Sequence, residues 1–147
     1  MIAGIDGVRI GIHVCRGNWS RQEEVLLAGD YAPLLPAFQA MQVRQFVLEF
    51  ATPRAGEIAV VGQALAPSGK EIGLGVVNPR TEDIESAEQI VHRVEQALRF
   101  YRPEAIFLNP DCGFGCFANR CVNDEETAVR KIHQIVRSAQ ILRDRYA

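Results

Sequence analysis

His13 and Cys15 lie two positions apart near the start of the chain, and Glu49 and Cys112 follow far downstream. In an extended strand, side chains two apart share a face, so His13-x-Cys15 aims an imidazole and a thiol the same way. Cys112 offers a second thiol. Glu49 sits inside the apolar run QFVLEF, where a carboxylate is costly unless it is paired or bound to metal. Two thiolates and an imidazole favour zinc over magnesium or calcium. Glu49, as a weaker fourth ligand, suits a site with an exchangeable position. Plainer readings stand beside this one. A His or Cys in a strand commonly just packs, and Glu49 could pair with Arg54 or Arg80. A rival trio, Cys112, Cys116 and Cys121, has the spacing C-x3-C-x4-C. That is not a usual zinc-finger or ribbon pattern, and no fourth Cys stands nearby for an iron–sulfur cluster.

Four β-branched or apolar runs must position these groups: residues 9–14, 45–50, 71–77 and 105–108. Each is nearly continuous in hydrophobicity, as expected of parallel strands covered on both faces. A loop and a segment of helical periodicity follow each one. The first helix, 31–41, tolerates Pro33 in its first turn, whereas Pro36 predicts a kink. The second, 57–65, is short. The third opens on a Ser86–Gln89 capping box, lines up Ile90, Val94, Ala97 and Leu98, and ends near Tyr101, ahead of Pro103. The last opens near Asn123 or Asp124, with Glu126 placed for the cap. Its predicted inward face is Val129, Ile132, Val136, Ala139 and Leu142.

Four consecutive βα units predict an α/β fold with a parallel sheet. No Gly-rich dinucleotide fingerprint follows any strand. A (β/α)8 TIM-type barrel takes about 250 residues, and this chain of 147 residues holds half of one, read as a single partial domain over 1–147. Chemistry in such folds sits at the C-terminal strand ends. Those ends carry His13 and Cys15, Glu49, Asn78, and Asn109 to Gly113 with Asp111 and Cys112.

The composition narrows the function classes. The 16 Lys and Arg against 18 Asp and Glu form no basic stripe, which argues against nucleic acid. The apolar runs are too short to span a bilayer, and the N-terminus lacks a signal-peptide pattern. The expectation is a cytoplasmic protein, whose cysteines are thiols or ligands rather than disulfides.

The runs IHVCRGN, VLEFATPRAGE, GLGVVNPR and FLNPDCGFG resemble consecutive segments of the catalytic barrel of cobalamin-independent methionine synthases. The likeness is to the shorter, single-barrel group of a superfamily that includes epoxyalkane:coenzyme M transferase, and it spans essentially the whole chain. The resemblance implies that His13, Cys15, Glu49 and Cys112 ligate one Zn2+. It also implies that the ion binds the thiol of homocysteine, which accepts a methyl group from 5-methyltetrahydrofolate. The folate amine leaves poorly and needs a general acid.

Long methionine synthases carry a His proton donor before a Ser-Pro after the corresponding third strand. Here the residues are Val77-Asn78-Pro79. Asn78 and Asp111 are the candidate catalytic residues left near the mouth. Arg16 and Asn18 are candidate substrate-binding residues, Arg54 follows a ligand-bearing strand, and Trp19 and Phe114 could stack on a pterin. Cys116 and Cys121 stand where relatives carry Thr and Pro. The preceding half-barrel of the family has no counterpart in the sequence, so an open sheet is expected to expose a large apolar patch. A homodimer or a missing N-terminal half-barrel would close it. Other outcomes are a different acceptor thiol, such as coenzyme M, or a zinc-binding half-barrel without turnover.

Overall fold

A computed structural model describes residues 4–115, 117 and 119–146; Cys116 lies outside the described residues. Four parallel strands, β1 (Gly11–Val14), β2 (Gln45–Leu48), β3 (Glu71–Val77) and β4 (Ile106–Pro110), form one sheet in the order β1-β2-β3-β4. Helices α1 (Leu35–Ala40), α2 (Ile58–Leu65), α3 (Ala87–Ala97) and α4 (Glu125–Tyr146) follow their strands in turn. Right-handed crossovers between sequential neighbours stack these helices along one face, with α1 on α2, α2 on α3 and α3 on α4. The result is the four-unit α/β half-barrel that the alternation predicts.

Register assigns each strand residue a side. Ile12, Phe46, Ile72 and Ile106 form one cross-strand row, and Val14, Leu48, Leu74 and Leu108 the next. These rows meet the helices. Phe46, Leu48, Ile72 and Leu74 on the central strands are fully buried, each contributing roughly 2 kcal/mol of hydrophobic stabilisation. Ile12, Val14, Ile106 and Leu108 on the edges are only partly buried. Burial fades toward both edges because no strand among the described residues pairs with them.

The opposite, concave face differs from its expectation. His13, Val47, Gly73 and Phe107 share one row there, and no residue of that row is an exposed large hydrophobic. The sheet curves enough for groups on separate strands to meet across it. The Arg9 guanidinium lies 4.7 Å from the centre of the Phe107 ring and its Nε is 2.7 Å from Glu71 Oε2, while Arg44 Nε is 2.6 Å from Glu71 Oε1. The predicted large apolar patch is therefore absent from the described residues. His13, Gly73 and the Arg9–Glu71 pair share that surface with the half-buried Val47 and Phe107.

The helices correct the sequence reading in detail. A 3-10 turn over Ala32–Leu34 precedes α1, which places Pro36 in the first turn of α1, where its missing N–H does no harm. No kink is needed. The Ser86–Gln89 capping box is present on α3. At α4 the cap is Asp124, whose carboxylate accepts from Thr127 N–H at 2.7 Å, so Glu126 is not its partner.

The predicted inward face of α4 is wrong by part of a turn. Val129, Ile132 and Val136 are exposed, Leu142 is buried as expected, and Thr127, Lys131, Ile135 and Ser138 join it inside. The cause is polar. The fully buried Lys131 donates from Nζ to the Asp83 carbonyl and to Glu85 Oε2, the latter at 2.8 Å. Anchoring that ammonium fixes the rotation of the helix.

Candidate metal centre

β1 presents His13, and Cys15 follows just past its last residue. The His13 ring nitrogen Nδ1 lies 3.1 Å from the Val47 carbonyl of the neighbouring strand. A carbonyl only accepts, so Nδ1 is the donor in this bond, and Nε2 is the ring nitrogen left to meet a metal. Metal-binding histidines are commonly oriented by such a bond.

Cys112 follows β4 by two residues and comes back across the mouth. Its Sγ is 3.7 Å from Cys15 Sγ. One ligand atom from each of His13, Cys15 and Cys112 lies within 4.8 Å of the others. Two sulfurs each about 2.3 Å from a tetrahedral zinc would stand about 3.8 Å apart. The observed separation therefore fits that ion without rearrangement. The Gly17 N–H also donates to Cys15 Sγ at 3.5 Å.

Glu49 is not in that trio. It is buried one residue beyond β2, and its Oε1 accepts from the Arg16 backbone N–H at 2.8 Å. Its backbone is gripped by a residue that the sequence reading passed over. Tyr31 Oη accepts from Glu49 N–H at 2.9 Å and donates to the Glu49 carbonyl at 3.3 Å. An aromatic placed directly after Gly29-Asp30 was the available signal.

Asp111 is buried, next in sequence to Cys112. Its Oδ1 accepts from Phe50 N–H and Ala51 N–H, each at 2.9 Å, so it reaches from the end of β4 across β3 to the tip of β2. Gly75 makes room, since a Cβ there would sit 2.1 Å from Asp111 Oδ1 and 2.9 Å from the Leu48 carbonyl. Burial pushes the Asp111 carboxyl up to about 7. The Ala51 and Phe50 N–H groups and the Arg93 guanidinium oppose that shift, and the neighbouring Glu49 adds to it.

The remaining candidates are built into the mouth's framework. Asn78 is buried, and its Oδ1 accepts from Arg80 N–H at 3.0 Å, an Asx turn that shapes the loop after β3. Its own N–H donates to Glu85 Oε1 at 2.6 Å. Arg16 is buried. It donates from Nε to the Leu27 carbonyl at 3.1 Å and from Nη2 to the Gly29 carbonyl. Asn18 Oδ1 accepts from Arg80 Nε at 3.1 Å, and Arg54 Nη1 donates to the Leu26 carbonyl at 3.1 Å. Trp19 is exposed, and Phe114 packs partly against the core. Cys121 is a free, exposed thiol.

Fold and site together define a parallel α/β half-barrel with a sulfur–imidazole cluster at the C-terminal ends of its strands. The sequence profile for the cobalamin-independent synthase catalytic domain matches residues 4–140, and the chain belongs to that family. It is 31% identical to the methionine synthase of Pyrococcus abyssi over 136 residues, covering 92% of this chain and 34% of that protein. With the methionine synthase of Sulfolobus acidocaldarius it shares 24% identity over 97% of this chain and 35% of the relative. The chain thus spans about a third of the length of these curated relatives. A B12-independent methionine synthase from Shewanella sp. W3-18-1, solved in complex with selenomethionine, superimposes with a TM-score of 0.79 at 18% identity. That match covers 98% of this chain and 41% of the other, and it bears on the fold alone.

Proposed function

We propose that this chain is the zinc-binding half of a thiol methyltransferase. In the completed barrel, 5-methyltetrahydrofolate gives its methyl group to the thiol of homocysteine, yielding methionine. The observation that carries the reading is the 3.7 Å separation of Cys15 and Cys112 Sγ, with a His13 ring nitrogen in the same cluster. His13 Nε2, Cys15 Sγ and Cys112 Sγ would hold Zn2+, with Glu49 as a fourth, displaceable ligand. When bound, the ion supplies a Lewis acid that lowers the pKa of a substrate thiol, which in free form is near ~8.5.

This chain's residues do the rest. The thiolates of Cys15 and Cys112 bring negative charge, which keeps a neighbouring substrate sulfur electron-rich. The Val47 carbonyl holds the His13 tautomer, and the Gly17 N–H steadies Cys15. Asp111 ties the tips of β2 and β4 together. Arg16 and Asn18 order the loop after β1 through hydrogen bonds to loop carbonyls and to Arg80. A reducing compartment, the cytoplasm, suits the free thiols.

The open edges of β1 and β4 call for a second half-barrel, from another copy of this chain or from a separate segment, and turnover belongs to the closed barrel.

The test is metal content by mass spectrometry, followed by methyl transfer assayed with homocysteine and with coenzyme M. The wild-type chain should hold about one zinc. Cys112→Ser should lose it, with zinc affinity at least about tenfold weaker. Full zinc retention by Cys112→Ser would remove the ligand assignment.

A further inference from the structure

We infer that Tyr31 is a positioning residue, setting where the Glu49 carboxylate stands relative to the sulfur–imidazole cluster. The inference rests on the reading of Glu49 as the fourth ligand and names what aims it. β2 ends at Leu48, so Glu49 lies where the strand ladder no longer fixes the backbone. The Tyr31 hydroxyl takes the place of a strand neighbour, accepting from Glu49 N–H at 2.9 Å and donating to its carbonyl at 3.3 Å. A single oxygen thus clamps both backbone polar groups of the residue that carries the carboxylate.

The clamp has its own support. The ring is 2% exposed and packs against Phe38 and Phe50, with centroids 6.3 and 5.4 Å away. The Arg16 guanidinium lies 5.1 Å from the ring centre. Arg16 also donates its backbone N–H to Glu49 Oε1 at 2.8 Å and directly follows the ligand Cys15. Arg16 therefore touches the tyrosine, the carboxylate and the thiol-bearing strand end. The phenol fixes the Glu49 backbone while the Arg16 amide fixes its side chain.

The experiment is a cycle of Zn2+ affinity measurements on wild type, Tyr31→Phe, Glu49→Gln and the double variant. Visible spectra of the Co2+-loaded proteins accompany it. Tyr31→Phe should weaken zinc binding by about tenfold and give a cobalt spectrum matching that of Glu49→Gln. Adding Tyr31→Phe to Glu49→Gln should change affinity less than about twofold, because the carboxylate it aims is gone. An equal loss in both backgrounds, or a wild-type cobalt spectrum in Tyr31→Phe, overturns the inference, since a general loss of packing would act regardless of Glu49.

A second measurement needs no change at position 31. In protein labelled with 13C-tyrosine, the Tyr31 signal is assigned with Tyr101→Phe and Tyr146→Phe. It should shift as zinc is added to wild type and stay fixed in Glu49→Gln. A Tyr31 signal indifferent to zinc in wild type overturns the inference while the metal site stands. A wild-type chain that takes up no zinc overturns the metal reading itself, and this inference with it.

Discussion

At the residue scale, the candidate site depends on where small groups allow large ones to go. Gly75 is the clearest case. A methyl group there would sit 2.1 Å from Asp111 Oδ1 and 2.9 Å from the Leu48 carbonyl, and backbone cannot move aside as the end of a flexible side chain can. Gly75→Ala should destabilise the chain by about 1–3 kcal/mol, the usual penalty of overpacking, measured by urea titration. Stability equal to wild type would mean that Asp111 does not cross β3 as described. His13, Cys15 and Cys112, which the structure gathers, stood out in the sequence because metal-competent side chains at strand ends are conspicuous, whereas Glu49, read together with them, lies outside that trio. Tyr31 and Gly75 did not stand out. Their roles depend on which backbone atoms lie opposite, and spacing along one chain does not carry that information.

At the element scale, the four strands and four helices were readable from periodicity, and the orientation of the last helix was not. Hydrophobic spacing favours Val129, Ile132 and Val136 as the inner face of α4, yet all three are exposed. Lys131 decides the matter through its pair with Glu85, made at 2.8 Å with the lysine side chain fully buried. Removing one partner of a buried pair strands the other charge. Lys131→Met should therefore cost about 3 kcal/mol, and Lys131→Met with Glu85→Gln should recover part of that in chemical denaturation. If Lys131→Met leaves stability unchanged, the anchor is not what sets the helix. Glu85 Oε1 also accepts from Asn78 N–H at 2.6 Å, so the same pair steadies the loop at the mouth of β3.

At the scale of the whole molecule, the barrel class was legible because consecutive βα units with short connections admit few architectures. The character of the concave face was misjudged. Its lining depends on which alternate residues face inward: Gly73, Gly75, Glu71 and His13 stand there with Val47 and Phe107, while Ile12, Phe46, Leu48, Ile72 and Leu74 of the same strands face the helices. One run of exposed apolar side chains at helical spacing is Val129, Ile132 and Val136 on α4, the helix that follows the edge strand β4. Ile132→Asp should change monomer stability by less than about 0.5 kcal/mol. It should nevertheless shift sedimentation toward the monomer if a second half-barrel covers that stripe. An unchanged sedimentation profile in a chain that self-associates would put the contact elsewhere.

The carboxyl of Asp111 grips two amides at the tip of β2, and the very next residue bears one of the clustered sulfurs. A pull on that sulfur is therefore a pull on a strap lying across the sheet. Loading the cluster would draw the rim of the half-barrel tight, and amide exchange at positions 50 and 51 would slow in step.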